Sequence, residues 1–266
     1  MGDGGDIVVT GGTGVLGRVV VEKLRERGHP VRVLSRRERA STGSDGIGWA
    51  TADLASGQGV DAALAGAAAV VHCATGFGRG QEAALMRNLV AGARRAGEAP
   101  PHLVYVSIVG VDRIPFGYYR GKLEAERLLA ESGLPFTVLR ATQFHDLLRA
   151  LFAGAAKAPV MVVPDLRFQP VDARDVATRL AELAVAAPLD GRADDLGGPE
   201  ARSARDLAYL AATGRRRPLL PLRLPGRTFA AFRAGGNLVP GEPYGRTSFE
   251  QYLAELPAPR RLAYRA

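Results

Sequence analysis

Tyr118 and Lys122, in the segment GYYRGKLEAE over 117–126, are the side chains of this sequence best suited to moving a proton. In a helix, residues four apart lie one turn above each other and share a face. A phenol is a poor acid or base near neutrality, but a neighbouring ammonium stabilises its phenolate and brings general acid–base work within reach. Tyr119 offers a second phenol beside the first. Ser107, closing the apolar run Leu103–Val106, adds a hydroxyl able to hold a carbonyl group. The plainer alternatives are a surface lysine on an amphipathic helix and a serine that caps a turn.

A turn near the N-terminus bears on that choice. The run Thr10-Gly11-Gly12-Thr13-Gly14-Val15-Leu16-Gly17 stands between the apolar Ile7-Val8-Val9 and an amphipathic stretch over 19–27. This pattern predicts a strand, a tight glycine turn and a helix whose unpaired N–H groups and dipole favour an anion, the arrangement that receives the pyrophosphate of a dinucleotide. The spacing reads as Gly11-x-x-Gly14-x-x-Gly17 or as Gly12-x-Gly14-x-x-Gly17, and the residue types do not choose between them. A second strand over 31–34 ends in Ser35-Arg36-Arg37. No carboxylate stands there to bind ribose hydroxyls or repel a phosphate, whereas a serine and a guanidinium can hold a 2′-phosphate. NADP(H) is therefore expected in preference to NAD(H), with Ser35 and Arg36 as the contacts.

Apolar runs at 6–11, 31–35, 48–52, 69–74, 102–107 and 136–140 alternate with helical segments near 14–27, 60–65, 81–96 and 117–132. That alternation predicts an α/β fold: a doubly wound, Rossmann-type parallel sheet with helices on both faces and its ligand crevice beyond the strands' carboxyl ends. Past residue 141 come a helical stretch over 144–156, a short strand over 160–163, a helix ending at 187, and a Pro- and Gly-rich region with two or three short helices. The expected division is a dinucleotide-binding core over 1–187 and a small substrate-covering cap over 188–266, too poor in apolar residues for a core of its own.

Composition narrows the classes. With 266 residues, 47% hydrophobic and 23% charged, the chain can bury one substantial core. Its single cysteine, Cys73, excludes an internal disulfide and leaves no metal-cluster pattern. The net charge is +8, yet only three of the 35 basic residues are lysine, which marks an arginine bias. Clusters such as Arg215-Arg216-Arg217 and Arg260-Arg261 carry no helix-turn-helix or zinc pattern, so no nucleic-acid partner is expected. No run of eighteen apolar residues occurs, and Met1–Asp6 lack the features of a secretory signal. The expectations are a cytoplasmic protein, no membrane partner and a small-molecule substrate, with the oligomeric state left open.

Taken together, Thr10–Gly17, Asp53-Leu54, Ser107, Tyr118 with Lys122, and Leu139-Arg140-Ala141-Thr142-Gln143-Phe144 resemble the short-chain dehydrogenase/reductase superfamily, in its atypical NmrA-like branch of NAD(P)H-binding proteins. Similarity extends over nearly the whole chain and is strongest over 6–187. The resemblance implies that Tyr118 gives a proton to a carbonyl oxygen while hydride arrives from the nicotinamide. It further implies that Lys122 binds the nicotinamide ribose and lowers the tyrosine pKa, and that Ser107 positions the carbonyl. Asp53 and Leu54 would flank the adenine, Ala74, Thr75 and Gly76 would pass close to the cofactor, and Thr142 to Phe144 would lie near the nicotinamide. The implied activity is NADPH-dependent reduction of a small or medium carbonyl or quinone-like substrate. One departure stands out: where related enzymes carry a relay asparagine, this chain reads Gln81-Glu82-Ala83, with Asn88 two turns later. The branch also includes proteins resembling redox sensors, so a cofactor-sensing regulator without turnover is the alternative.

Overall fold

Short apolar runs bounded by turn residues become strands, and the amphipathic stretches between them become helices. In the computed structural model, which describes residues 5–38, 46–212 and 218–256, β1 (Asp6–Thr10), β2 (Val31–Ser35), β3 (Gly48–Thr51), β4 (Ala67–His72), β5 (His102–Ile108) and β6 (Phe136–Ala141) follow one another. They are joined through α1 (Val15–Glu26), α2 (Val60–Leu64), α3 (Gln81–Arg95) and α4 (Gly117–Ala130). The chain then passes through α5 (His145–Ala155), β7 (Met161–Pro164), β8 (Arg167–Phe168) and α6 (Ala173–Val185) to β9 (Gly191–Arg192). Ser107 lies inside β5, not at its end, because the ladder runs on through Ile108.

The described residues gather into two compact units. The first takes its residues from Met1–Ser107, Arg120–Arg140 and Ala177–Asp194, and the second from Ile108–Tyr119, Ala141–Val176 and Asp195–Ala266. They interleave along the chain, so segments 108–119 and 141–176, ahead of residue 187, group with the C-terminal residues.

In the first unit, seven strands form one sheet in the order β3-β2-β1-β4-β5-β6-β9. This is the doubly wound parallel arrangement expected from the alternation. A seventh strand, β9, joins through Thr137↔Gly191 and Val138↔Arg192, a pairing too short to leave a sequence pattern. The winding reverses between β1 and β4, where Thr10 pairs with His72, so the switch-point crevice opens past those two residues. Parallel strands covered on both faces read as continuous apolar runs, as β5 does. Val70, Leu103 and Tyr105 from the sheet pack with Leu64, Met86, Leu89 and Leu129 from α2, α3 and α4. Each large side chain so buried contributes about 1.5–3 kcal/mol. Buried Arg140 of β6 is held by Glu126 of α4 through Nε at 2.9 Å and Nη2 at 2.6 Å.

The second unit adds β10 (Arg202–Ser203), α7 (Ala204–Ala211), β11 (Leu219–Leu222), α8 (Arg227–Arg233) and α9 (Phe249–Ala254). Its apolar cluster joins Leu148, Phe152, Met161 and Phe168 to Leu207 and Phe249, with Phe229 and Phe232 packed against it. Residues after 188 thus share a core with 148–168. Serines start two of the helices: Ser203 accepts from the Asp206 N–H ahead of α7, and Ser248 forms a reciprocal capping box with Gln251 ahead of α9.

Candidate active site

At the end of β1 the backbone settles the glycine spacing. Gly11 sits at φ +66°, and a Cβ there would stand 2.7 Å from the Ala74 nitrogen. A Cβ on Gly17 would stand 2.2 Å from the Gly11 carbonyl oxygen, so α1 could not lie where it does. A Cβ on Gly12 would meet side chains and no backbone, Val33 at 2.8 Å and Val21 at 3.5 Å, which favours the reading Gly11-x-x-Gly14-x-x-Gly17. Gly14 is the N-cap of α1, with no side-chain cap and no acidic residue in the first turn. Thr13 and Gly14 are exposed, Val15 is half-buried and Leu16 is buried in the core. A helix N-terminus left uncapped and uncharged at a switch point, behind glycines whose side chains would fill the cradle, fits a dinucleotide phosphate.

The same unit holds a buried polar cluster centred on one carboxylate. Glu82, near the start of α3, is 2% exposed, and each carboxylate oxygen accepts two donors. Oε1 takes the Lys122 ammonium at 2.7 Å and the Tyr105 hydroxyl at 2.8 Å. Oε2 takes the Thr75 hydroxyl at 2.9 Å and the Gly76 N–H at 2.7 Å. Burial on its own would raise this carboxyl's pKa, but the Lys122 charge and the hydrogen bonds outweigh it and hold the value down to about 2. Lys122 also donates to the Val106 carbonyl at 3.2 Å and lies 4.8 Å from the centre of the Tyr105 ring. Two of its three N–H groups are thereby engaged.

Alongside, the Thr10 hydroxyl is hydrogen-bonded to His72 Nδ1 at 2.7 Å and accepts from the Ala74 N–H at 3.2 Å. His72 stacks on Tyr105, and its Nε2 is buried without a hydrogen-bond partner among the described residues. Burial, aided by the Lys122 charge, lowers the imidazole pKa to about 4, so the ring is neutral at physiological pH. Burial pushes the thiol of half-buried Cys73 up to about 12, which makes it unreactive.

Ser107 is 2% exposed, and its hydroxyl has no hydrogen-bond partner among the described residues. Tyr118 is half-buried, one turn before Lys122 on α4. Tyr119 is buried, accepts from Gln143 Nε2 at 3.2 Å, and packs against Phe116 and Phe232, and burial raises its pKa to about 12. Of the two phenols, Tyr119 is the more deeply buried. Ser35 accepts the Arg37 N–H at 3.1 Å, and Arg36 is exposed with no ion pair among the described residues.

The Asp53 carboxylate accepts from the Ala55 N–H and the Ser56 hydroxyl, and Leu54 is core. Asn88 donates to the Leu54 and Ala55 carbonyls at 2.8 and 3.1 Å and so braces this loop. In the second unit Thr142 is buried with its hydroxyl donated to the Gln169 carbonyl, and Phe144 is the half-buried N-cap of α5. That unit also holds a cleft of about 500 Å³ lined by Arg113, Gln169, Glu200, Leu238 and Val239 among others. Sequence reasoning named Glu82 only as a departure. The available signal was a carboxylate in line with Met86, Leu89 and Ala93 on the buried stripe of α3.

The sheet order and the switch-point turn define a Rossmann-type dinucleotide-binding protein. A family model described as NAD(P)H-binding matches residues 11–183, and the chain belongs to that family. It is 31% identical over 205 residues to (4-alkanoyl-5-oxo-2,5-dihydrofuran-3-yl)methyl phosphate reductase of Streptomyces griseus subsp. griseus, covering 75% of this chain and 70% of the relative. It is 26% identical over 208 residues to quinone oxidoreductase 2 of Escherichia coli K12, covering 76% and 72%. Among solved structures, the NADPH-dependent quinone oxidoreductase of Escherichia coli complexed with NADPH superposes with a TM-score of 0.75 at 22% identity, covering 93% of this chain and 98% of that one. The NAD(P)H-binding family that the resemblance implied is borne out by the matching model, and the chain is an NAD(P)H-linked oxidoreductase. No helix among the described residues is long and apolar enough to cross a membrane.

Proposed function

We propose that this protein reduces a small or medium carbonyl or quinone-like substrate with NADPH, using Tyr118, Lys122 and Ser107. The observation that carries this reading is the buried hydroxyl of Ser107, without a partner near the carboxyl end of β5. An orphaned buried donor costs about 1–3 kcal/mol, a cost that a ligand oxygen would offset. Ser107 donates to the substrate carbonyl. Lys122, whose third N–H is not engaged by Glu82 or Val106, binds a ribose hydroxyl and supplies positive charge to the face of α4 that carries Tyr118. Tyr118 gives its proton to the carbonyl oxygen, since it is the half-buried phenol one turn from Lys122, whereas Tyr119 is buried against Phe116 and Phe232. When bound, the cofactor supplies the hydride and is left as NADP⁺, with the carbonyl reduced to an alcohol.

Preference for NADPH is supported by exposed Arg36 beside Ser35 and by the absence of a carboxylate over 35–37. The pyrophosphate contacts are the backbone of Gly11 to Gly17, and Ala74, Thr75 and Gly76 lie along the cofactor. One relative is named a quinone oxidoreductase, which supports the quinone-like substrate, and another is named a reductase of an oxo-dihydrofuranyl methyl phosphate. NADPH oxidation against a panel of carbonyls and quinones tests the reaction. Tyr118→Phe is expected to lower turnover at least about a hundredfold while cofactor affinity is kept, in line with the usual worth of a general acid. Undiminished turnover in that variant removes Tyr118 from the mechanism. NADP(H) binding with no turnover on any substrate favours the cofactor-sensing alternative.

A further inference from the structure

We infer that Glu82 is a positioning residue of the cofactor site, one carboxylate that fixes two cofactor contacts at once. The inference rests on the proposed function for the roles of Lys122 and of the 74–76 turn. Lys122 arrives from α4 and the Thr75-Gly76 turn from the end of β4, and nothing in either segment specifies the other's position. Glu82 ties them together, with Oε1 on the ammonium at 2.7 Å and Oε2 on the Thr75 hydroxyl and the Gly76 N–H at 2.9 and 2.7 Å. Tyr105 completes the set by donating to Oε1 at 2.8 Å from the strand that lies between them.

All four acceptor positions of the carboxylate are thus filled by donors. An amide of the same shape cannot replace it. Its one oxygen can serve either the lysine side or the turn side, and its NH₂ would face donors on the other. Nor can Lys122 simply find another anion, because it is 4% exposed and its only other hydrogen-bond partner among the described residues is the Val106 carbonyl. The turn is equally dependent on α3, since a Cβ at Gly76 would stand 2.7 Å from Gln81 Cβ and 3.0 Å from the Glu82 nitrogen. Glu82 therefore acts through Lys122 and the turn.

The test is Glu82→Gln, read by urea denaturation, by NADPH affinity from fluorescence titration and by steady-state kinetics on the best quinone or carbonyl of the panel. E82Q is expected to fold, to bind NADPH about tenfold or more weakly and to lose about tenfold or more in kcat, with the substrate KM within about threefold of the parent. Because the effect of Glu82 on kcat passes through Lys122 while the turn sets cofactor affinity, the double variant E82Q/K122M should match K122M in kcat at saturating NADPH within about twofold. Multiplicative losses in the double variant, or a folded E82Q with parental NADPH affinity and kcat, would overturn the inference. Should E82Q fail to fold, Glu82→Asp keeps the charge but is one methylene too short to reach both sides. Parental NADPH affinity in E82D overturns the proposal, and a loss of about tenfold sustains it. If the parent protein turns over no substrate, the proposed reaction fails, while the NADPH titrations still decide the role of Glu82.

Discussion

Acid should destabilise this protein through His72 before most of its carboxylates titrate. The imidazole is 1% exposed, bound at Nδ1 to Thr10 and stacked on Tyr105, and its pKa is lowered from 6.5 to about 4 by burial and by the Lys122 charge. Between those two values the unfolded chain binds a proton that the native chain refuses. Stability contributed by the neutral ring is therefore fully present above pH 6.5 and is lost as pH falls towards 4. At about 1.4 kcal/mol per pH unit the loss amounts to about 3 kcal/mol, a sizeable share of an ordinary domain's stability. His72→Asn removes the titration while leaving an oxygen that can accept from Thr10. Urea denaturation from pH 7.5 down to 4.5 should give a steeper fall for the parent than for the variant. His102 and His145, whose pKa values burial also lowers, remain in both proteins and cancel in the difference. Parallel profiles for parent and variant would refute the reasoning.

Three further outcomes follow from the same geometry. Gly17→Ala places a Cβ 2.2 Å from the Gly11 oxygen and should weaken NADPH binding by about tenfold or more, measured by fluorescence titration. Arg140→Met leaves Glu126 buried without its bidentate partner and should cost about 3–5 kcal/mol, whereas the double change Glu126→Leu with Arg140→Met should recover most of that loss in urea denaturation. Tyr119→Phe removes only the hydroxyl that accepts from Gln143, so it should leave turnover within about threefold of the parent and lower stability by about 1 kcal/mol. A hundredfold loss of turnover in that variant would transfer the acid role to Tyr119.

Six strands and the helices between them were legible in the chain because their signals are local: apolar runs of strand length, amphipathic stretches and turn residues at their borders. The strand-turn-helix at Thr10–Gly17 was legible for the same reason, and so was the spacing of Tyr118 and Lys122 along one helix. Tertiary structure decided what depended on distant partners. Gly11 and Gly17, not Gly12, are the glycines the backbone requires, because the constraint is the approach of Ala74 and of the turn's own carbonyl. Tyr119 is the more deeply buried of the two phenols because Gln143 and Phe232 pack against it. A sequence places Glu82 and Lys122 forty residues apart on two helices. Only the packing of α3 and α4 against one sheet brings their charges to 2.7 Å in a buried place where neither could stand alone.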